Sequence, residues 1–264
     1  MPVIPGRSDC CVAVLFVSQR RDPTTDEGFS KCRRSAGVIL ISEDKRGLMT
    51  PDLFSGLNDQ PTVEAFDEGV VVLRRHAVKH QQALMRDIDQ VTRHAPFRHM
   101  KTPGGHQMSA AMTCCGPLGW VTDETGYRYQ PQDPLSGLRW PAIPDSFVSL
   151  ARKSAQEAGF TGFDPDACLI NRYQPGAKMG LHQDKDEKAF AWPIVSVSLG
   201  LPIVFQFGGL KRSDRPARIL LEHGDVVVWG GPARLRYHGV LTLKAGEHPV
   251  TGSARYNLTF RKAG

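Results

Sequence analysis

From residue 167 onward the apolar positions fall in short β-type runs broken by glycine and proline, with no helical period between them. The runs are "ACLINRY", "PIVSVSLG", "IVFQFG", "ARILLE", "DVVVWGG", "RYHGVLTL" and "ARYNLTFR". Many short strands without intervening helices predict two stacked antiparallel sheets, a sandwich or jelly roll. Upstream the pattern changes. "GVVVLRR" (69–75) reads as a strand, and Leu84, Ile88 and Val91 mark one face of a helix over roughly 78–93. A second helix is expected after Pro144, with Phe147, Leu150 and Ala151 turned inward. Between the helices, "KTPGGHQMSAAMTCCGPLGW" predicts irregular or hairpin structure. The expected class is therefore mostly β with flanking helices (α+β).

Residues 1–48 follow none of these patterns; they mix two short apolar runs with charged clusters. Met49 then opens "MTPDLFSG", a plausible start in its own right. We expect 1–48 to be a weakly ordered extension, or a segment translated from an upstream start, and 49–264 to form the domain. The longest apolar runs, 10–17 and 193–207, are too short or too polar to span a bilayer, and no signal-peptide cleavage site follows the first. A cytoplasmic protein without a membrane partner is expected. None of the six cysteines forms Cys-x-x-Cys, which removes a zinc ribbon or a thioredoxin-like motif. The net charge of +6 permits a polyanionic partner without demanding one.

Chemistry enters at "LHQDKDE" (181–187). Residues i and i+2 of a strand share a face, so His182 and Asp184 can reach one ion while Gln183 turns away. A third ligand is needed, and His238 lies 54 residues past Asp184, beyond several strands. Two histidines and one carboxylate leave open positions on an octahedral ion, the arrangement of non-haem Fe(II) oxygenases. A rival pair, His223 and Asp225 in "HGD", reads as a turn entering a strand. His76 and His80 share a helix face without an evident third ligand. In "RYNLTFR", period-2 alternation places Arg255, Asn257, Thr259 and Arg261 on one face. Two arginines turned inward are costly unless they meet anions, and a dicarboxylate such as 2-oxoglutarate would satisfy both. Otherwise this face is solvated on an edge strand.

These segments together resemble the AlkB-type Fe(II)/2-oxoglutarate dioxygenases. The likeness runs over about residues 52–264 through "TPGG", "PDACLINRY", "PGAK", "LHQDKDE", "PIVSVSLGLP", "FQFGGLKR", "LEHGDVVVWGG" and "YHG". It implies a double-stranded β-helix (jelly-roll) core over 165–264 and an N-terminal nucleotide-recognition lid at about 95–135. It implies iron on His182, Asp184 and His238, and 2-oxoglutarate on Asn171, Tyr173, Arg255, Asn257 and Arg261. The implied activity is oxidative dealkylation of bases such as 1-methyladenine and 3-methylcytosine. O2 is consumed, 2-oxoglutarate is decarboxylated to succinate, and formaldehyde is released. The implied partner is alkylated DNA, preferably single-stranded but also duplex, or RNA, bound by a monomer. Trp120 would stack on the base, Asp186 and Glu187 would lie near its amino edge unless they form a solvated turn, and Met112, Tyr127, Tyr129, Thr102 and His106 fall in the lid. The family usually has a tyrosine where His106 stands. Lys178 and Arg212 would contact phosphates. An oxygenase of the same chemistry acting on a protein or small molecule is the competing implication; a binding module that has lost its iron is a third.

Overall fold

A computed structural model describes residues 60–264. The chain divides into two units, Met1–Thr50 and Pro51–Gly264, and the expectations for 1–48 fall outside the described residues. In chain order the elements are β1 (Thr62–Asp67), β2 (Val70–Arg74), α1 (Gln81–His94), β3 (Ala111–Cys115), β4 (Gly119–Asp123), β5 (Gly126–Gln130) and α2 (Asp145–Glu157). There follow β6 (Ala167–Tyr173), β7 (Met179–His182), β8 (Ile194–Gly200), β9 (Ile203–Phe207), β10 (Ala217–Leu221), β11 (Val226–Trp229), β12 (His238–Val240) and β13 (Arg255–Arg261).

Seven strands form one sheet in the order β1-β2-β11-β8-β13-β6-β3, and four form a second in the order β10-β9-β12-β7. Alternation along the central strands loads both faces of the large sheet. Leu73, Ile170, Val197, Leu258 and Phe260 point outward and pack on Leu84, Ile88 and Val91 of α1 and Phe147, Leu150 and Ala151 of α2. Phe147 meets Phe260 edge to face at 5.9 Å. Val72, Met112, Leu169, Val227 and Trp229 point the other way, toward Ile203, Phe205, Phe207, Ile219 and Leu221 of the small sheet. Two antiparallel sheets sharing a core are the expected jelly roll. The site opens between these sheets, on the inner face of the large one.

Local chemistry explains the helix ends. Pro144 precedes α2, where its missing N–H costs nothing, and Asp145 sits in the positive first turn. At the other end Gly159 has φ +89°, and the Gly159 and Phe160 amides donate to the Gln156 and Ala155 carbonyls, a Schellman closure that only glycine enters without strain.

Three departures from the sequence pattern have identifiable causes. β1 has no buried face, so no hydrophobic period announced it. "RYHGVLTL" is a strand only over His238–Val240, because the Leu243 backbone pairs instead with Gly176 and Ala177 in the loop after β6. β13 is no edge strand. It pairs with β6 on one side and β8 on the other, so its polar face cannot be solvated as an edge.

Candidate metal centre and its pocket

β7 ends on His182 and β12 begins on His238, and the two residues are cross-strand partners. Their rings lie 4.4 Å apart. Gly239 permits this approach, since a Cβ there would come within 2.7 Å of the Met179 carbonyl oxygen. Each imidazole is held by its own strand: His182 Nδ1 lies 2.9 Å from the Gly180 carbonyl oxygen, and His238 Nδ1 lies 3.1 Å from that of Arg236. A carbonyl only accepts, so both Nδ1 atoms carry hydrogen and both Nε2 lone pairs are left for a ligand. Those Nε2 atoms stand 3.6 and 3.7 Å from the two carboxylate oxygens of Asp184. The three donor atoms lie within 4.8 Å of one another.

The route to this cluster differs from the shared strand face. Asp184 lies just past the end of β7, and it reaches the histidines because Arg234 Nη1 donates to its backbone carbonyl at 2.8 Å. Gln183 borders the pocket, and its side-chain Nε2 donates to the Leu235 carbonyl at 2.6 Å.

Burial opposes ionisation of Asp184, but Arg261 and the two histidines outweigh it and hold the carboxyl below the usual carboxylate range. Burial, aided by His182, pushes His238 down to about 3. A carboxylate beside a neutral imidazole is the protonation state that a divalent metal requires. This donor set fits Fe(II), whose remaining positions would face the cavity.

That cavity has a volume of about 510 Å³. Register builds one wall of it, for β13 sets Arg255 opposite Tyr173 and Asn257 opposite Asn171. Arg255 is 1% exposed and bonds through Nη2 to Ser198 Oγ (2.9 Å) and through Nη1 to the Tyr256 carbonyl (3.0 Å). Its Nε has no partner, and burial lowers its pKa only to about 10, so it stays cationic at neutral pH. Asn257 Nδ2 donates to Ser196 Oγ at 2.8 Å, while the buried Asn171 Oδ1 is also without a partner. A buried cation with an open N–H, among unsatisfied polar atoms, fits a small carboxylate ligand. Arg261 behaves differently. It grips Asp184 Oδ2 through Nε (2.8 Å) and Nη2 (2.5 Å), and its Nε also reaches Glu187 Oε1 at 3.2 Å. Burial disfavours its charge, yet these carboxylates raise its pKa.

At the mouth, the hairpin β4–β5 presents Trp120 stacked on Tyr127, with centroids 5.7 Å apart. Trp120, Tyr127, Met112, Thr102, Asp186 and Arg212 all line the cavity. Glu187, Lys178, His106 and Tyr129 do not. Glu187 is 5% exposed and pairs with Arg234 (3.1 Å) and Arg261, so it is neither a solvated turn nor at a base edge. Lys178 is exposed outside the lining, its backbone bonded to Ser109 Oγ. His106 is exposed in a turn closed by its bonds to Thr102. Sequence reasoning missed Arg234, Ser196 and Ser198. The serines had a signal, two polar residues at i and i+2 in an otherwise apolar strand; Arg234 had none.

The rival "HGD" is a structural knot. His223 Nδ1 accepts the Gly200 amide at 2.9 Å and its Nε2 lies 2.8 Å from Gln81 Oε1. Asp225 receives Arg74 Nη1 and the amides of Arg75 and Glu222. His76 pairs with Glu157 at 3.2 Å. Among the described residues, His182, Asp184 and His238 are the group of three that can hold a metal.

A metal triad set beneath an open, buried arginine in a jelly roll defines a class, the Fe(II)- and 2-oxoglutarate-dependent oxygenases, and the 2OG-Fe(II) oxygenase superfamily matches residues 69–261. The chain is 60% identical over 212 residues to the alpha-ketoglutarate-dependent dioxygenase AlkB of Salmonella typhimurium, covering 80% of this chain and 97% of that protein. It is 59% identical over 213 residues to the protein of the same name from Escherichia coli, covering 81% and 98%. The solved structure of OsALKBH1 shares 28% identity with a TM-score of 0.66, covering 76% of this chain and all of that one. The chain belongs to the AlkB family of Fe(II)/2-oxoglutarate-dependent dioxygenases. Iron, 2-oxoglutarate and O2 are accordingly its cofactor and cosubstrates.

Proposed function

We propose that this enzyme removes alkyl groups oxidatively from nucleobases in DNA, preferably single-stranded, with RNA as a further substrate. One observation carries the reading. The cavity that holds the metal triad also holds, at its mouth, the Trp120–Tyr127 stack beside the Asp186 carboxylate. A flat ring on one side and an anion at its edge suit a flat, cationic base with an exocyclic amino group, such as 1-methyladenine or 3-methylcytosine. Such a base reaches the cavity only from a single strand or after flipping from a duplex.

His182, Asp184 and His238 would hold iron, which with 2-oxoglutarate and O2 supplies hydroxylation of the alkyl carbon. The remaining work belongs to the chain. Arg255 and Arg261 would anchor the carboxylates of 2-oxoglutarate, with Asn171, Asn257 and Tyr173 completing the cradle. Trp120 would stack on the base while Asp186 accepts its amino group, and Met112, Tyr127 and Thr102 would close around the nucleotide. Arg212 at the mouth, with Lys178 further out, would position the phosphates. The hydroxylated N-methyl group then leaves as formaldehyde and the base is restored. In this reading the enzyme acts as a monomer. The buried free thiols of Cys114, Cys115 and Cys168 suit a reducing cytoplasm.

The test is turnover of 1-methyladenine in a single-stranded oligonucleotide with Fe(II), ascorbate and 2-oxoglutarate. Succinate, formaldehyde and repaired base in equal amounts are expected. Succinate without repair would overturn the nucleic-acid reading in favour of a protein or small-molecule substrate.

A further inference from the structure

The hairpin β4–β5 touches the metal-ligand loop through one cross-strand pair. Trp120 and Tyr129 face each other in register, and each donates one hydrogen bond to one of two consecutive acids. Trp120 Nε1 donates to Asp186 Oδ2 at 2.9 Å, and the Tyr129 hydroxyl donates to Glu187 Oε1 at 2.8 Å. The two bonds are unlike. Trp120 and Asp186 both line the cavity, so a ligand can reach and replace that bond. Glu187 is buried and lies outside the cavity lining.

Glu187 sits where the supports of Asp184 converge. Its Oε2 lies 3.1 Å from Arg234 Nη2, and its Oε1 lies 3.2 Å from Arg261 Nε. Arg234 holds the Asp184 backbone carbonyl, and Arg261 holds the Asp184 carboxylate. Two guanidiniums and two carboxylates thus balance in charge, and the Tyr129 hydroxyl is the neutral donor that completes Glu187 Oε1. Arg261 Nε donates to Asp184 Oδ2 at 2.8 Å and stands 3.2 Å from Glu187 Oε1 as an ion pair. Removing the hydroxyl would leave Oε1 without its hydrogen-bond donor, and the Arg261 Nε–H would be drawn from Asp184 toward Glu187.

We propose that Tyr129 and Glu187 are a positioning pair that transmits the seating of the hairpin to Arg261, and through Arg261 to Asp184, while Trp120–Asp186 is the half of the contact that a bound base displaces. Glu187 is then a residue that aims the cosubstrate site rather than one that reads the base. The inference rests on the proposed function for the ligand of Arg261 and for the base.

The experiment uses the full chain as Tyr129→Phe, Glu187→Gln and the double variant. Binding of 2-oxoglutarate to the Fe(II)-loaded protein is followed anaerobically by its visible charge-transfer absorbance, and succinate formed per repaired base is measured separately. Tyr129→Phe is expected to weaken 2-oxoglutarate binding about tenfold and to raise succinate per repaired base. Adding it to Glu187→Gln should change the affinity no further, since both remove one interaction. A merely structural role would lower Tm and the fraction of protein that binds, leaving the affinity of that fraction intact. An affinity for Tyr129→Phe within about twofold of the parent, or losses that multiply in the double variant, would overturn the proposal. Should Glu187→Gln fail to fold, the Tyr129→Phe affinity decides by itself, because that substitution removes one oxygen. The binding measurement contains no nucleic acid. A parent that binds 2-oxoglutarate but repairs no base overturns the proposed function and leaves the pair to be judged on affinity.

Discussion

His182-x-Asp184 and His223-x-Asp225 are the same three-residue pattern put to opposite uses. In the second pair every polar atom is spoken for. The His223 nitrogens take a backbone amide and Gln81, and Asp225 takes Arg74 and two amides. In the first, His182 and the later His238 each spend Nδ1 on a carbonyl and leave Nε2 facing the Asp184 carboxylate at the floor of a cavity. A metal site is therefore marked less by its residue types than by which lone pairs the fold leaves unspent. Arg255 and Arg261 repeat the lesson: both are buried on one strand face, but Arg261 already has carboxylates and Arg255 has an open Nε.

The largest effect should come from the open pair. Asp184→Ala is expected to abolish turnover and the rise in Tm that Mn(II) with 2-oxoglutarate gives the parent; near-normal activity would remove the proposed centre. Asp225→Ala should do the reverse. It strips the Arg75 and Glu222 amides of their acceptor and Arg74 of its buried carboxylate, and should cost about 3 kcal/mol of stability in a denaturant titration. The folded fraction should keep its metal-dependent Tm rise, and loss of that response would merge the two sites. Arg255→Ala, which takes away the open Nε–H, is expected to raise the 2-oxoglutarate requirement between about tenfold and a hundredfold, read as KM against kcat. An unchanged KM would mean that the cosubstrate lies elsewhere.

The smallest effect is one of pH. Burial, with His248 and Arg75 nearby and Asp225 opposing them, pushes His223 down to about 4. The unfolded chain, where the histidine has its ordinary value of 6.5, then binds more protons between those limits. His223 should therefore lower stability as pH falls from about 6.5 toward 4, and have no such effect above that range. His223→Gln should flatten this part of the stability profile; an unaltered slope would show that the ring does not titrate there.

Much of the scaffold was legible along the chain. The strands from 167 onward, the buried faces of α1 and α2 and the shared face of Arg255, Asn257, Thr259 and Arg261 follow from period and polarity, while the pairing of β13 on both sides is what turns that face inward. β1 was silent because both its faces are exposed. The recurrent types at the site, His-x-Asp and a later histidine, were legible too, although the reason offered for their meeting was wrong for Asp184, which lies beyond the strand.

The sequence by itself determined which residues share a strand face and which types of donor could meet, since side-chain alternation is a property of a single strand. Tertiary structure alone decided how they are partnered. The β7–β12 register joins His182 to His238, and Arg234 draws in the Asp184 backbone. Glu187, with the look of a surface acid, is buried between two arginines. The physical reason is that an ion in a low-dielectric interior is stable only beside a counter-ion, and that choice depends on which distant segments are brought within hydrogen-bond reach.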